Sequence, residues 1–401
     1  MVTKEYYTLT FVRFVLSFTR FPLTVPIQES YTLVNSQEGL DILLNELDLY
    51  DIAAVDTEAD SMYHYSVRLC LIQITLGDHH WIVDPLSGID VKPIFSTRAM
   101  QTIIFHGADY DLRMLWNTYR ISPKHVFDTM LAAKLLGEER LGLAHLVEKY
   151  FDVKLIKDNQ KADWTIRPLP LDMCEYAIHD TLYLHELCAL LGDQLISQGK
   201  FTWLIETCDE LIEHSKVPHE VVLEPWRISG SSKFSPEELN LLKYLWEWRE
   251  KEAATLDRPP YKVLGVELLF SVIHSLSCSY PKLDMDSLPK LPRNFNGARL
   301  DSFKETLEKA LQVPPSEWPL PLQRPKPPLN GPDGDLLDAL RIWRDEKAEE
   351  LKFDPSLLAN RTQLIALATP GKDSWEPRYD AAHLMRWQRN IWNTILNEHL
   401  K

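Results

Sequence analysis

The sequence predicts a mixed α/β domain followed by two small all-helical domains. Apolar, β-branched runs and helical segments interleave up to about residue 198, whereas no strand pattern follows about residue 226. The second half repeats itself, because WREKEAATLDRPPYKVL from Trp248 resembles WRDEKAEELKFDPSLLA from Trp343. The length of 401 residues agrees with this division, since it exceeds what one ordinary core organises.

The composition is that of a globular protein, with 45% hydrophobic and 25% charged residues. The formal net charge of −15 argues against a generally basic surface for binding nucleic acid, although it allows a local basic groove. A site built from several carboxylates can still meet phosphate groups when bound cations reverse its local charge. Composition therefore leaves both nuclease and binding functions open.

Residues 1–28 are predicted to form an extension before the first domain. This stretch is mildly apolar, but Arg13 and Arg20 interrupt it and no small-residue cleavage site follows, so neither a signal peptide nor a membrane span is expected. The five cysteines are scattered without CxxC spacing, which is typical of reduced thiols in a cytosolic protein. We therefore expect a cytoplasmic protein with no membrane partner.

The α/β domain is expected to span residues 29–215. It begins with the strands YTLVNS and DIAAVDTEA, which flank a helix from Gln37 to Leu47. LCLIQIT and HHWIVDP then form a hairpin around Gly77 and Asp78, and TIIFHG is a strand that ends where a helix begins. Four helices follow: DYDLRMLWNTY, DTMLAAKLLG, LAHLVEKYF and a long helix from about Leu171 to Leu195.

The repeat predicts two copies of one helical domain, at residues 226–313 and 333–401. Each copy has apolar residues at helical spacing and a proline that ends its helix. Between them, residues 314–332 are too rich in proline for a regular element and are predicted to be an extended linker. The recurring positions are Trp248, Arg249, Ala253, Leu256, Pro260 and Val263 in the first copy and Trp343, Arg344, Ala348, Leu351, Pro355 and Leu358 in the second.

Two acidic residues lie close together in the segment AAVDTEAD. Asp56 and Glu58 are two residues apart on a predicted strand, so both side chains leave the same face. Adjacent carboxylates repel each other, and a divalent cation removes that repulsion. The alternative is a strand end whose acids face solvent.

A second acidic position follows the strand–glycine–helix junction FHGADYDLRML. An acid in the first turn of a helix is favoured by the helix dipole, so Asp109 or Asp111 could be a first-turn charge alone. Asp111 is harder to explain in this way, because it adjoins Leu112 at the start of the apolar periodicity.

The third segment is CEYAIHDTLYLHEL. Tyr176 and Asp180 are four residues apart, which places them on one helical face. Such a helix can supply a metal ligand and a phenol to one site. The alternative is an amphipathic helix with a surface Asp and a half-buried Tyr. His179 and His185 are interpreted as packing or surface residues.

In this order, D-x-E, H-x-x-x-x-D and Y-x-x-x-D resemble the signature of the DEDD exonucleases in their tyrosine variant. From about Tyr31 to Leu195 the chain is similar to the ribonuclease D family, including DTMLAAKLLG and ADWTIRPLPLDMCEYAIHD. The repeat resembles two helicase-and-ribonuclease-D C-terminal (HRDC) domains. The resemblance implies a ribonuclease H-like fold and a 3′→5′ exonuclease.

The resemblance also implies a mechanism. The acids Asp56, Glu58, Asp111 and Asp180 would hold two divalent ions, Mg²⁺ or Mn²⁺, with Asp56 bridging both. Tyr176 would position the attacking water, and the products would be nucleoside 5′-monophosphates. The implied substrate is RNA with a free 3′ end, such as tRNA precursors and small structured RNA, and the implied state is a monomer. A 3′→5′ DNA exonuclease and a catalytically inactive binding scaffold remain alternatives.

One position departs from the family, because Ala59 follows DTE where an aromatic is usual. Stacking of the terminal nucleotide is therefore expected to fall to residues shortly after it. The candidate substrate contacts are Met62, Tyr63, His64, Tyr65, Arg68, His106, Lys154, Lys157, Lys161 and Arg167.

Overall fold

The computed structural model describes residues 30–155, 159–217, 223–280, 282–322, 331–370 and 374–399. The predicted N-terminal extension, Lys157 and part of the proline-rich linker lie outside the described residues. The chain divides into two compact units. Of the residues described, the sheet unit contains those in 30–59, 69–217 and 331–399, and the helical unit contains those in 60–68 and 223–322.

A six-stranded mixed sheet forms the centre of the sheet unit. Its order is β1-β4-β3-β2-β5-β6, in which β3 runs antiparallel to both of its neighbours and the other pairs are parallel. The predicted hairpin is confirmed as β3 and β4. The strands are β1 Tyr31–Val34, β2 Ala53–Ala59, β3 Leu69–Leu76, β4 His79–Val83, β5 Thr102–Phe105 and β6 His125–Asp128.

In the described part of the sheet unit, helices α1 to α7 lie between residues 37 and 215. The helix predicted from Gln37 to Leu47 is confirmed, and it begins where the Ser36 hydroxyl accepts from the backbone N–H of Gly39. The long helix predicted from Leu171 is wrong in one respect, because it is two helices that meet at Tyr183. The helices are α1 Gln37–Leu47, α2 Asp109–Tyr119, α3 Thr129–Leu135, α4 Leu143–Phe151, α5 Leu171–Leu182, α6 Leu184–Ser197 and α7 Phe201–Ser215.

The helical unit has a hydrophobic core of its own. Trp248 lies at its centre, with the rings of Phe295 and Phe303 at centroid distances of 5.5 and 5.0 Å. Its first helix begins at a capping box formed by Ser235 and Glu238. Its helices are α8 Pro236–Thr255, α9 Pro260–Val263, α10 Val266–Ser279 and α11 Gly297–Gln312.

The chain after residue 331 forms four more helices, and they share one hydrophobic core with the sheet and its helices. The ring of Trp203 on α7 stacks on that of Trp387 at a centroid distance of 5.0 Å and meets Phe353 edge-on at 6.2 Å. The division into domains at residues 314–332 and 333–401 stays a prediction from the sequence pattern. These helices are α12 Gly334–Leu351, α13 Arg361–Ala368, α14 Glu376–Ala381 and α15 Arg386–His399.

A glycine and a buried lysine fix the contact between the end of α3 and the end of α12. Gly137 has a positive φ of +86°, and a Cβ placed on it would lie 2.0 Å from the carbonyl oxygen of Lys352, so only glycine allows this approach. Lys200 is buried, at 4% exposure. Its ammonium group donates hydrogen bonds to the carbonyl oxygens of Leu135 and Leu351 at 3.0 and 2.9 Å. Each carbonyl is the last of its helix, where an acceptor has no helical partner.

None of the five cysteines forms a disulfide, and four of them are buried, as expected, whereas Cys278 is exposed. In the part of the chain that the structure describes, every helix is too short or too polar to span a bilayer.

Candidate active site

The strand β2 presents two carboxylates at its C-terminal end. Ala53, Ala54 and Val55 are fully buried and hold the strand in the centre of the sheet, between β3 and β5. Asp56 and Glu58 then leave the same face, because side chains alternate along a strand. Both are half-buried. The sheet thus fixes the direction of both acids.

The helix α5 brings a third carboxylate and a phenol to this face. It packs against β2, β3 and β4, and carboxylate oxygens of Asp180, Asp56 and Glu58 all lie within 4.8 Å of one another. Tyr176 lies one turn before Asp180 and donates its hydroxyl hydrogen to that carboxylate. The buried ring of Trp164 supports Tyr176 at a centroid distance of 6.0 Å.

Asp111 lies in the first turn of α2 and is buried, at 7% exposure. Its carboxylate accepts a hydrogen bond of 2.5 Å from the hydroxyl of Thr57, the residue between the two acids of β2. It is not a member of the group of three within 4.8 Å, but its charge raises the pKa of Asp56. Asp109, two residues earlier, is exposed and paired with Arg113. The two acids of this turn therefore differ in role.

The junction before α2 is held by Asp128, the last residue of β6. Its two carboxylate oxygens accept from the backbone N–H groups of Gly107 and Ala108 at 3.0 and 2.9 Å. The same carboxylate caps α3, where it accepts from Met130 and Leu131. Strand β6 was not predicted, yet its end sets the direction in which α2 and Asp111 begin.

Burial and mutual repulsion raise the pKa of every acid in the cluster. Burial and the charges of Asp180 and Asp111 raise the pKa of Glu58 to about 9. Burial and the Asp111 charge raise the pKa of Asp180 to about 7. Burial raises the pKa of Asp111 to about 6, against the opposing hydrogen bond from Thr57. The pKa of Asp56 is also well above its usual range, because it is buried among the other three.

These residues fit a divalent cation. Carboxylate oxygens are the ligands that hard cations such as Mg²⁺ and Mn²⁺ prefer. Oxygens of three of these carboxylates lie within 4.8 Å of one another, and burial together with the charges of the neighbouring acids raises the pKa of each. A bound cation would offset that repulsion with positive charge.

The predicted stacking residues after β2 belong to the helical unit. The His64 ring nitrogen lies 2.7 Å from the Asp257 carboxylate, and the backbone N–H of Tyr65 donates to the same group at 3.2 Å. The ammonium of Lys262 lies 4.1 Å from the centre of the Tyr63 ring. These side chains pack against the start of α9, and their contact with a substrate stays a prediction.

The predicted phosphate contacts have different surroundings. Arg167 donates to both carboxylate oxygens of Asp84 at 2.7 and 2.8 Å, and to three carbonyl oxygens, which favours a structural role. Arg68 is bound by the buried Asp60 at 2.8 Å. His106 lies 2.9 Å from the Thr129 hydroxyl, and burial lowers its pKa. Lys161 is exposed between α4 and α5, Lys154 lies 3.8 Å from Glu148, and Lys157 is outside the described residues.

Two further polar residues beside the cluster were not predicted from the sequence. Thr57 binds Asp111, as described above. Gln73 lies opposite Asp56 in the β2–β3 register and is 1% exposed, and neither polar atom of its side chain has a hydrogen-bond partner among the described residues. Directly opposed residues share a face of the sheet, so Gln73 lies on the carboxylate face. A polar residue inside the apolar run LCLIQIT was the available signal.

Comparison with known proteins shows the family of the chain. A family model described as 3′→5′ exonuclease matches residues 31–196, and one described as HRDC domain matches residues 238–277. Ribonuclease D of Pseudomonas paraeruginosa is 30% identical over 327 residues, which cover 79% of this chain and 84% of that protein. Ribonuclease D of Escherichia coli is 28% identical over 348 residues, covering 84% of this chain and 90% of that protein.

Two solved structures share the fold. A protein from Bifidobacterium adolescentis matches with a TM-score of 0.76 at 22% identity, over 90% of this chain and 95% of that one. The Escherichia coli RNase D structure, described as an exoribonuclease involved in structured RNA processing, matches with a TM-score of 0.63 at 24% identity, over 92% and 99%. The predicted fold, a mixed sheet flanked by helices and followed by HRDC-type helices, is confirmed. The chain therefore belongs to the ribonuclease D family of 3′→5′ exonucleases.

Proposed function

We propose that this protein removes nucleotides one at a time from the 3′ ends of RNA by metal-dependent hydrolysis. The observation that carries the proposal is the convergence of the Asp56, Glu58 and Asp180 carboxylates within 4.8 Å, with the Tyr176 hydroxyl on Asp180. A family model for 3′→5′ exonucleases covers all of these residues. Ribonuclease D relatives support RNA as the substrate class.

The four acids would hold two divalent ions, Mg²⁺ or Mn²⁺. Asp56, Glu58 and Asp180 supply the close group of oxygens, and Asp111 supplies a neighbouring carboxylate oriented by Thr57. Bound there, the ions stabilise the charge on the scissile phosphate and lower the pKa of the attacking water.

Tyr176 acts as an orienting group. Burial and the charges of Asp180, Glu58 and Asp56 raise its pKa, so the phenol stays protonated at neutral pH and is not a general base. It therefore holds the attacking water through its hydroxyl group. Phenylalanine at this position would lose that hydrogen bond while keeping the contact with Trp164.

The 3′ ends of tRNA precursors and small structured RNAs are the substrates we favour, on the strength of the ribonuclease D relatives. The five free cysteines support a cytosolic location, and we expect a monomer. A DNA exonuclease is the second candidate, because the same arrangement of acids serves either nucleic acid.

The test is degradation of single-stranded RNA and of DNA of the same sequence, each labelled at its 5′ end, with Mg²⁺, Mn²⁺ or EDTA. We expect RNA to shorten stepwise from the 3′ end and EDTA to stop it. Asp56→Asn should lower the rate by about 10³-fold or more, since it removes several kcal/mol of metal-based stabilisation. Asp109→Asn is the matched control and should keep full activity, because Asp109 is exposed and paired with Arg113. If neither nucleic acid is degraded with either metal, the enzyme proposal fails.

Metal binding should also show in stability without any assay of activity. The folded-state pKa values of Glu58, Asp111 and Asp180 are raised to about 9, 6 and 7, so the folded protein holds more protons than the unfolded chain. Stability of the metal-free protein therefore falls as pH rises between about 4 and 9. Because binding displaces protons, Mn²⁺ should raise the melting temperature more at pH 8 than at pH 6. An equal Mn²⁺ shift in wild type and Asp56→Asn would contradict metal binding at this cluster.

A further inference from the structure

A cavity of about 440 Å³ opens between α12 and α13, remote in sequence from the catalytic acids. Three guanidinium groups and one carboxylate line it, so its polar side is positively charged. Its apolar side is formed by two leucines. The lining residues are Leu337, Asp338, Arg341, Arg344, Arg361 and Leu364.

The three arginines are not equivalent. Arg344 is bound by the protein: it donates to the Asp345 carboxylate at 2.6 and 2.8 Å and to the Ala359 carbonyl oxygen at 3.0 Å. Arg341 has only a loose ion pair with Asp338, at 3.8 Å, and both side chains are largely exposed. Arg361 is exposed and has no ion pair among the described residues. Two cationic groups at this cavity are therefore available to an anion.

The first copy of the repeat shows that these two arginines are not needed to build the helices. Aligned on Trp248 and Trp343, Arg344 corresponds to Arg249, which likewise binds the acid that follows it. Arg341 and Arg361, however, correspond to Trp246 and Val266. The motif thus accounts for Arg344 and leaves the other two unexplained.

The apolar side of the cavity supports the same conclusion. Leu337 and Leu364 correspond to Leu242 and Leu269 in the first copy, and both of those are fully buried. In the second copy Leu364 is likewise buried, at 3% exposure, whereas Leu337 is only half-buried. The cavity therefore offers part of the Leu337 side chain beside the guanidinium groups, which suits a nucleotide because it carries both an apolar and an anionic part.

We infer that this cavity binds a phosphate-bearing nucleotide unit of the RNA substrate, away from the reacting end. A guanidinium group is always charged and can form two parallel hydrogen bonds to phosphate oxygens, and the half-buried Leu337 can contact a ribose or base. The volume lies within the range of small-ligand pockets. The inference rests on the proposed RNA exonuclease function and adds a second point of contact to it.

The N-terminus of α13 contributes little to this site. Its capping box uses the Asn360 side chain for the Gln363 N–H and the Gln363 side chain for the Asn360 N–H. The side chains of Arg341 and Arg361 therefore provide the attraction. Asp338 opposes it, so its removal should strengthen binding.

The experiment uses the full chain carrying both Arg341→Gln and Arg361→Gln. The control is Arg386→Gln, because Arg386 is an exposed arginine of the C-terminal helices that does not line the cavity. Steady-state kinetics are measured on a dinucleotide and on a single-stranded RNA of about 30 nucleotides, long enough to occupy an extended track. We expect the double variant to raise KM for the long RNA about tenfold with kcat unchanged, and to leave dinucleotide hydrolysis at the wild-type rate. Asp338→Asn should lower KM for the long RNA.

The salt dependence of RNA binding distinguishes the loss of a phosphate contact from a general change in the folded structure. Each phosphate contact contributes about 0.7 to the slope of log Kd against log salt for a single strand, so the double variant should lose about 1.4 of that slope. An unchanged KM and slope for the long RNA overturn the inference. So does binding of free AMP that competes at these arginines while RNA binding stays intact, because the occupant is then a free nucleotide. If wild type fails even on the dinucleotide, it is the proposed function that fails.

Discussion

The two copies of the helical repeat share a sequence motif but take part in different cores. In the first copy Trp248 packs on Phe295 and Phe303 within the helical unit. In the second copy the helices join the core of the sheet unit, where Trp387 stacks on Trp203. A repeated motif therefore specifies helices and their ends, whereas residues outside it decide which core those helices enter.

This difference changes the expected role of the C-terminal helices. They are bound to the rest of the sheet unit by stacked rings, by the buried Lys200 and by the Glu206 carboxylate, which accepts hydrogen bonds from the backbone N–H groups of Arg386 and Trp387 at the start of α15. They belong to the unit that holds the predicted catalytic acids. The first copy is the one that has its own core.

Removing one copy of the repeat or the other should give the largest difference in stability and activity. A chain that ends at residue 322 exposes the apolar surface around Trp203, so we expect it to aggregate or to unfold without a cooperative transition. A chain in which a flexible linker replaces residues 223–322 should keep cooperative unfolding and hydrolyse a dinucleotide. Circular dichroism during heating and the dinucleotide assay check both. A stable, active chain ending at residue 322 would remove the distinction between the copies.

A pair of tryptophan substitutions tests the same contrast at single sites. Both tryptophans are nearly buried, at 3% exposure for Trp387 and 5% for Trp248, so each change to alanine should cost about 3–5 kcal/mol where it acts. Trp387→Ala should raise hydrogen exchange in peptides from α7 and the sheet, and Trp248→Ala in peptides from α8 and α11. Identical exchange patterns for the two variants would show that the cores are not separate.

Replacement of Gly137 by alanine tests its close contact with Lys352, and the expected loss of stability is smaller. Gly137 and Gly199 both have positive φ, at +86° and +68°, but only at Gly137 would a Cβ meet other atoms, at 2.0 Å from a backbone oxygen. Alanine at either position strains the backbone because φ is positive there. Gly199→Ala therefore measures the loss of stability caused by that strain without a steric clash. Gly137→Ala should be less stable than Gly199→Ala by about 1–3 kcal/mol, the usual range for overpacking. Denaturant unfolding gives both values, and equal values would mean that α12 does not need this close approach.

The sequence predicted the parts of the fold that local patterns encode. Alternation in DIAAVDTEA placed Asp56 and Glu58 on one strand face, and the spacing of four placed Tyr176 over Asp180. These relations depend on residues near each other in the chain. The pairing of Thr57 with Asp111 joins residues 54 positions apart and depends on a junction held by Asp128, which no local pattern reveals.

Other features escaped the sequence for physical reasons. Strand β6 is HVFD and ends at Asp128, the residue with which the predicted helix DTMLAAKLLG begins, so it left only two adjacent apolar residues before that helix and no alternating pattern. The break at Tyr183 has no proline or glycine to mark it, because tertiary packing of α5 and α6 sets it. The partners of His64 and Tyr65 lie at Asp257, almost two hundred positions away, and Arg167 was predicted to meet phosphate although Asp84 binds it.

The shared core has a consequence for the order of synthesis. The helix α15 contributes Trp387, Trp392, Ile395 and Leu396 to the same core as strands that are made more than 250 residues earlier. Strand β2, which carries Asp56 and Glu58, leaves the ribosome long before these partners exist, and most of the helical unit is made in between. We therefore expect the core of the sheet unit to be complete only after residue 396 has emerged, and we expect an incomplete chain to have no nuclease activity during translation.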